Sequence, residues 1–313
     1  MSTGRKKIVA GRGRIHYNNK KGGMSMNIRS LNDETALALI PPRQAESHKG
    51  DYGKILLLCG SRGFTGAAAL AATGALRSGA GLVYVAVPES IYAIEAVKLT
   101  EPVVLPLPDR KGMLSEEALE PIRELLPKMD AVLFGCGSGL GEGPEAVLEL
   151  LLKEAACPLI LDADGITLAA KHKDLLRERH HVTILTPHEG EYARLKATPA
   201  PVVPEEEEKI RDTMALAREL GVILLRKGHR TLITDGETVY RNQSGNPGMA
   251  VGGSGDVLAG VILSLLGQKV PPLEAAACGA WFHGRAGDLC AEEIGPRGLL
   301  PSDMAMVLPR LLK

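Results

Sequence analysis

The chain of 313 residues carries 37 basic and 37 acidic side chains; 45% of it is apolar, 24% charged and only 3% aromatic. Zero net charge argues against broad binding to nucleic acid or acidic membranes, and scarce aromatics argue against base-stacking surfaces. No uninterrupted apolar run is long enough to span a bilayer, and five irregularly spaced cysteines without a C-x-x-C pair read as buried free thiols in a reducing cytoplasm.

Residues 1–45 are expected to stand apart as a basic, disordered leader. Met1 to Gly23 is rich in Lys, Arg and Gly and has no acidic residue, and Met24 or Met26 offers an alternative start. Residues 46–313 are expected to form one domain. Ile55 to Cys59 is a short apolar run ending in glycine, which reads as a buried strand. The glycine-rich loop Gly60–Gly66 follows, then an Ala/Leu-rich helix from Ala67 to Arg77 stopped by Ser78-Gly79. Leu82 to Val87 reads as the next strand, and a helix is expected over 90–98 and another over 116–126. Ala131 to Phe134 is a strand leading into Gly135-Cys-Gly137-Ser-Gly139-Leu-Gly141, followed by a helix over 145–155.

Leu159 to Leu161 is a strand ending at Asp162-Ala-Asp164, and Thr183 to Leu185 one ending at Thr186-Pro-His188-Glu-Gly-Glu191. An acidic segment from Glu205 opens a long helix to Leu220. Val222 to Leu225 is a strand ending at Arg226-Lys227-Gly228. Leu232-Ile233 and Val239-Tyr240 form a hairpin turning at Asp235-Gly236. Strand, loop and helix repeated in this way imply an α/β fold, a mostly parallel central sheet with helices on both faces.

The chemistry should gather at the carboxyl ends of those strands. The most informative stretch is Asn246-Pro-Gly-Met-Ala-Val-Gly252-Gly253-Ser254-Gly255-Asp256, which precedes the apolar helix starting at Val257. Free N–H groups and the dipole of a helix's first turn make an anion hole suited to phosphate, and glycines let the ligand approach. Asp256 beside it would take a proton from an attacking hydroxyl or hold a metal ion. On its own the stretch also reads as a turn with Asp256 as helix cap. Asp162 and Asp164 read equally as caps of the following helix or as site residues. His188 is a loop histidine, Lys227 a lysine at a strand end, and His283 a core or interface histidine. The 135–141 loop fails the G-x-G-x-x-G spacing, and neither a P-loop nor a G-x-S-x-G motif occurs.

These residues together resemble the NAD(P)H-hydrate dehydratases, a branch of the ribokinase-like superfamily. The resemblance rests on Asn246 to Gly260, Gly66-Ala67-Ala68, Arg77 to Val83, Gly137 to Gly141, Leu161 to Asp164, Leu185 to Glu191 and Lys227 to Ile233, in the family's order. It implies a ribokinase-like three-layer sandwich over residues 46–313. It implies nucleotide-dependent dehydration of the S epimer of hydrated NADH or NADPH, with ADP as phosphoryl donor, ATP as the other choice, and Mg²⁺ bridging the phosphates. Asp256 would be the catalytic base, while Gly252, Gly253, Gly255 and Lys227, Gly228, His229, Arg230 and Thr231 would contact the nucleotide. Ala67 or Ala68, Gly137, Gly139, His188 and Asp256 itself would contact the hydrated dinucleotide. Many members carry an N-terminal epimerase domain, which residues 1–45 are too short to hold, so a separate epimerase is the expected partner. Ser254 stands where Thr is frequent, which keeps a hydroxyl. A cytoplasmic homo-oligomer, a homotetramer, is expected, with the apolar stretch 275–286 around Trp281 as a candidate interface. The rival reading is a ribokinase-like kinase of a vitamin-precursor alcohol.

Overall fold

The computed structural model describes residues 14–16, 27–198 and 205–313. Its strands are β1 (Arg14–His16), β2 (Asn27–Arg29), β3 (Lys54–Leu58), β4 (Leu82–Pro88), β5 (Val103–Leu107), β6 (Asp109–Arg110), β7 (Met113–Leu114), β8 (Ala131–Phe134), β9 (Leu159–Leu161), β10 (Thr183–Leu185), β11 (Ile223–Arg226), β12 (Leu232–Thr234) and β13 (Val239–Arg241). The helices are α1 (Asp33–Leu37), α2 (Thr65–Arg77), α3 (Glu89–Lys98), α4 (Leu119–Leu125), α5 (Glu142–Glu154), α6 (Asp164–Ala169), α7 (Lys173–Glu178), α8 (Glu189–Lys196), α9 (Glu206–Leu220), α10 (Ser254–Gly267), α11 (Pro272–Glu293) and α12 (Pro301–Leu311).

One sheet runs in the order β1-β2-β13-β12-β11-β10-β9-β8-β3-β4-β5. From β11 to β5 every neighbouring pair is parallel, with Ile55 opposite Ala131 and Val83, and Ile184 opposite Ile160 and Ile223. The β12–β13 hairpin is antiparallel, as expected from its Asp235-Gly236 turn, where Asp235 Oδ1 accepts from the Glu237 and Thr238 N–H groups. Strand periodicity splits the apolar residues between two cores. Ile55 and Leu57 face the layer of α2, α10, α11 and α12, while Leu56 and Leu58 face that of α4, α5, α6 and α9. The expected three-layer sandwich is therefore present, with the strand carboxyl ends on one rim.

Helices α2 and α10 touch backbone to backbone. A Cβ on Gly260 would overlap the Ala71 carbonyl, and one on Gly74 would stand 2.6 Å from the Val257 oxygen. They run side by side in one direction, with Leu70 against Gly253 near one end and Gln268 Nε2 donating to the Ser78 carbonyl (2.9 Å) at the other.

Two local expectations change. The helix expected over 116–126 is α4 flanked by 3₁₀ turns at 116–118 and 126–128, the second of them carrying Pro127 early in the turn. Residues 27–37, expected in the leader, join the domain: β2 pairs with β13, and the Asp33 carboxylate of α1 accepts from Trp281 Nε1 at 2.8 Å. The basic stretch 1–23 lies outside the described residues apart from β1, which pairs with β2. On α11, Ala275 to Ala280, Phe282 and Ala286 are buried against the rest of the chain, and Trp281 is half-buried. Among the described residues no helix is long and apolar enough to cross a membrane.

Candidate active site

The Gly252–Asp256 stretch starts α10 as its composition predicts, but Asp256 is not the cap. Gly253 is, in the left-handed region at φ 96°, where a side chain would be strained and would meet Leu70 at 2.5 Å. Asp256 is the third residue of the helix. The Ser254 N–H goes to the Val251 carbonyl and the Val257 N–H to the Gly253 carbonyl, each at 3.3 Å. Between them the Gly255 and Asp256 N–H groups have no backbone acceptor among the described residues, so the helix offers donors and a positive dipole end.

Asp162 and Asp164 do not cap either. Asp162 directly follows β9, and Ala163 then takes φ 49°, ψ −114°, a conformation costly for a residue with a Cβ. That kink sends the two carboxylates to different tasks. Asp162, 3% exposed, accepts from Lys227 Nζ at 2.7 Å and Thr186 Oγ1 at 2.6 Å. Asp164 accepts from the Gly139 N–H at 2.9 Å and so fixes the 135–141 loop. Carboxylate oxygens of Asp162 and Asp256 and the Cys136 Sγ lie within 4.8 Å of one another. Lys227 Nζ stands 3.3 Å from where a Gly255 Cβ would be.

Electrostatics follow from this crowding. Burial, then the Asp162 charge, push Asp256 up to about 6, against the Cys136 thiol and Lys227. Burial opposes the charge on Lys227, yet Asp162 and Glu191 outweigh it and hold the ammonium above its ordinary value. A hydrogen bond with Cys59, together with burial, keeps Cys136 a thiol.

On one side of this cluster opens a cavity of about 1150 Å³. It collects Lys227, Gly228, His229, Arg230, Thr231 and Gly255, with His188, the 241–251 loop, Ser254 and His283. The 228–231 turn is held by Thr231 Oγ1 donating to the Gly228 carbonyl (2.9 Å), and Asn246 Nδ2 donates to Asp288 (3.1 Å) to fix the Asn-Pro-Gly turn. His188 also has a local task. It caps α8, its Nδ1 accepting from the Gly190 N–H (3.0 Å), while Glu191 accepts from the His188 N–H (2.8 Å).

Ala67, Gly137 and Gly139 gather elsewhere. The Ala67 Cβ stands 3.0 Å from a Cβ placed on Gly137, beside the exposed Phe64. Ala68 is fully buried and presents nothing to a ligand. Gly252 is exposed at the turn before α10. Sequence reasoning passed over Thr186, Cys136 and Phe64. Cys136 and Phe64 stood within quoted glycine loops, and Thr186 at a strand end, the one local signal available.

A mostly parallel sandwich with an acid and an anion hole at the head of a buried helix defines the ribokinase-like class, the architecture of related solved structures. The NAD(P)H-hydrate dehydratase family profile matches residues 55–310, and the chain belongs to that family. The bifunctional NAD(P)H-hydrate repair enzyme Nnr of Moorella thermoacetica is 42% identical over 290 residues, covering 92% of this chain and 54% of that protein. The chain thus spans about half the length of such bifunctional relatives. The ADP-dependent (S)-NAD(P)H-hydrate dehydratase of Listeria monocytogenes is 33% identical over 291 residues, 91% of this chain and 97% of that one. The Bacillus subtilis ADP/ATP-dependent NAD(P)H-hydrate dehydratase, co-crystallised with ATP and Mg²⁺, superposes with a TM-score of 0.76 at 29% identity, covering 90% of this chain and 96% of that one.

Proposed function

We propose that the chain dehydrates the S epimer of hydrated NADH or NADPH at the expense of ADP or ATP, returning the reduced dinucleotide. The observation that carries this reading is Asp256, a carboxylate pushed up to about 6 at the head of α10 with unpaired N–H groups beside it. Such a group is ionised at neutral pH yet basic enough to take a proton from an alcohol. The nucleotide occupies the cavity, with Lys227 and the 228–231 turn on its phosphates. The dinucleotide lies along Ala67, Gly137, Gly139 and the exposed ring of Phe64, with His188 at the rim. ADP is the donor that the Listeria relative's name favours.

Asp256 takes the hydroxyl proton of the hydrated ring, and the oxygen attacks the terminal phosphorus. The bridging P–O bond breaks, leaving AMP from ADP. The Gly255 and Asp256 N–H groups carry the charge that develops on the phosphoryl oxygens. The ring C–O bond then breaks to release phosphate, the neighbouring carbon gives up its proton, and the double bond re-forms. Mg²⁺, when bound, neutralises phosphate charge; Asp162 and Asp164, whose charges raise Asp256, are oxygen donors of the kind it takes.

A separate or attached epimerase activity supplying the S epimer, a cytoplasmic location and a homo-oligomeric state belong to the same reading. The last is checked by light scattering. To test the reaction, protein is mixed with hydrated NADH, Mg²⁺ and ADP or ATP while dihydronicotinamide absorbance is followed. Its return supports the proposal. Nucleotide consumed on an alcohol without that return would instead indicate a kinase.

A further inference from the structure

His283 is a buried titratable group facing the cavity to which the proposed reaction gives no task. It lies on α11, 7% exposed, and burial pushes it down to about 4, so the ring is neutral at physiological pH. Its Nε2 stands 3.3 Å from Ser254 Oγ, and both residues line the cavity. Ser254 opens α10. Its N–H is already given to the Val251 carbonyl, so the hydroxyl is the donor it has left for a ligand. The helix around His283 is pinned to the cavity wall. Asn242 Nδ2 donates to the Ala280 carbonyl (3.2 Å), Ser244 Oγ donates to that of Trp281 (2.9 Å), and Gly284 leaves no room for a Cβ beside Ser244.

A neutral imidazole carries one N–H. Protonated at Nδ1, it would accept a hydrogen bond from the Ser254 hydroxyl on Nε2 and leave oxygen lone pairs facing an anion. Protonated at Nε2, it donates to Ser254 Oγ, and the hydroxyl hydrogen is then turned off the ring toward the cavity. We propose that His283 is a positioning residue, holding the Ser254 hydroxyl as a hydrogen-bond donor to the phosphate of a bound nucleotide. The hydroxyl thereby joins the backbone N–H groups of Gly255 and Asp256 as a third donor. This inference rests on the cavity being the nucleotide site.

Equilibrium binding of ADP and of ATP, each with Mg²⁺, to the full chain tests it. Ser254→Ala and His283→Leu should each weaken nucleotide binding about 10-fold, as loss of a hydrogen bond to a charged group does. The double variant should be no weaker than either single one, because the pair acts as a unit. His283→Gln, whose amide nitrogen reaches the same oxygen, should recover most of the loss. Binding of NADPH, read by dihydronicotinamide fluorescence, should stay within about 2-fold, a split that general damage to the fold would not give. Losses that multiply to roughly 100-fold in the double variant would overturn the coupling. So would wild-type affinity in Ser254→Ala, a change small enough to leave the fold intact. Wild-type protein that binds neither nucleotide would overturn the cavity assignment itself and this inference with it.

Discussion

Asp256→Asn should make the protein more stable at neutral pH while removing its turnover. Burial and the Asp162 charge raise the Asp256 pKa from 3.8 to about 6, so the folded state binds this proton more tightly than the unfolded chain does. Between those two values the native state holds more protons, and stability falls as pH rises through the window. The full shift of about 2.2 units corresponds to about 3 kcal/mol. Partial exposure of the carboxylate reduces the expected gain to roughly 1–2 kcal/mol. Asparagine keeps the shape and has no such cost. Thermal unfolding of both proteins should therefore coincide near pH 4 and separate by several degrees at pH 8, with the variant higher. The same shift predicts an acid limb near pH 6 in kcat/KM of the wild type. The variant should lose about 100-fold or more in turnover while still binding nucleotide. A variant no more stable than wild type at pH 8, or a difference independent of pH, would refute the electrostatic account. Near-normal turnover would refute the assignment of Asp256 as base.

Other perturbations probe the surroundings. Lys227→Ala removes the partner of the nearly buried Asp162 and should cost about 3 kcal/mol in denaturant titrations; it should weaken nucleotide binding more than dinucleotide binding, and equal losses would count against the placement. Ala163→Gly relieves the residue at φ 49° and should raise the unfolding free energy from denaturant titration by about 1 kcal/mol, with an unchanged or lower value showing that the turn is not strained. Gly260→Ala drives a methyl group into the Ala71 carbonyl and should destabilise by roughly 3 kcal/mol, whereas an unaltered thermal midpoint would mean that the two helices separate easily.

The alternation of strand and helix was legible because most central strands are short apolar runs that end in a glycine loop or at a charged residue. Strand β5 was missed. Val103 to Leu107 contains Pro106, which argues against a strand except at an edge, and β5 is the edge. Asp256 stood out through the glycines before it, but its position as third helical residue depends on the left-handed turn at Gly253. The Lys227–Asp162 pair joins residues 65 apart in the chain, and no local pattern announces it. His283 read as core because its neighbours on α11 are apolar; that it faces Ser254 is a matter of helix packing. The indole N–H of Trp281 is taken by Asp33, 248 residues away in a segment read as leader, and no local pattern announces that pairing.

The contact of α2 with α10 has a mechanical consequence. With no side chain between their backbones at Gly74 and Gly260, the two helices behave as one stiff wedge. Near its tip stand Ala67, beside the Gly137 turn, and Ser254 and Gly255, which line the cavity, so the two walls move together unless the wedge splits. An opening that admits a ligand is therefore expected in the surface turns around the cavity rather than between α2 and α10.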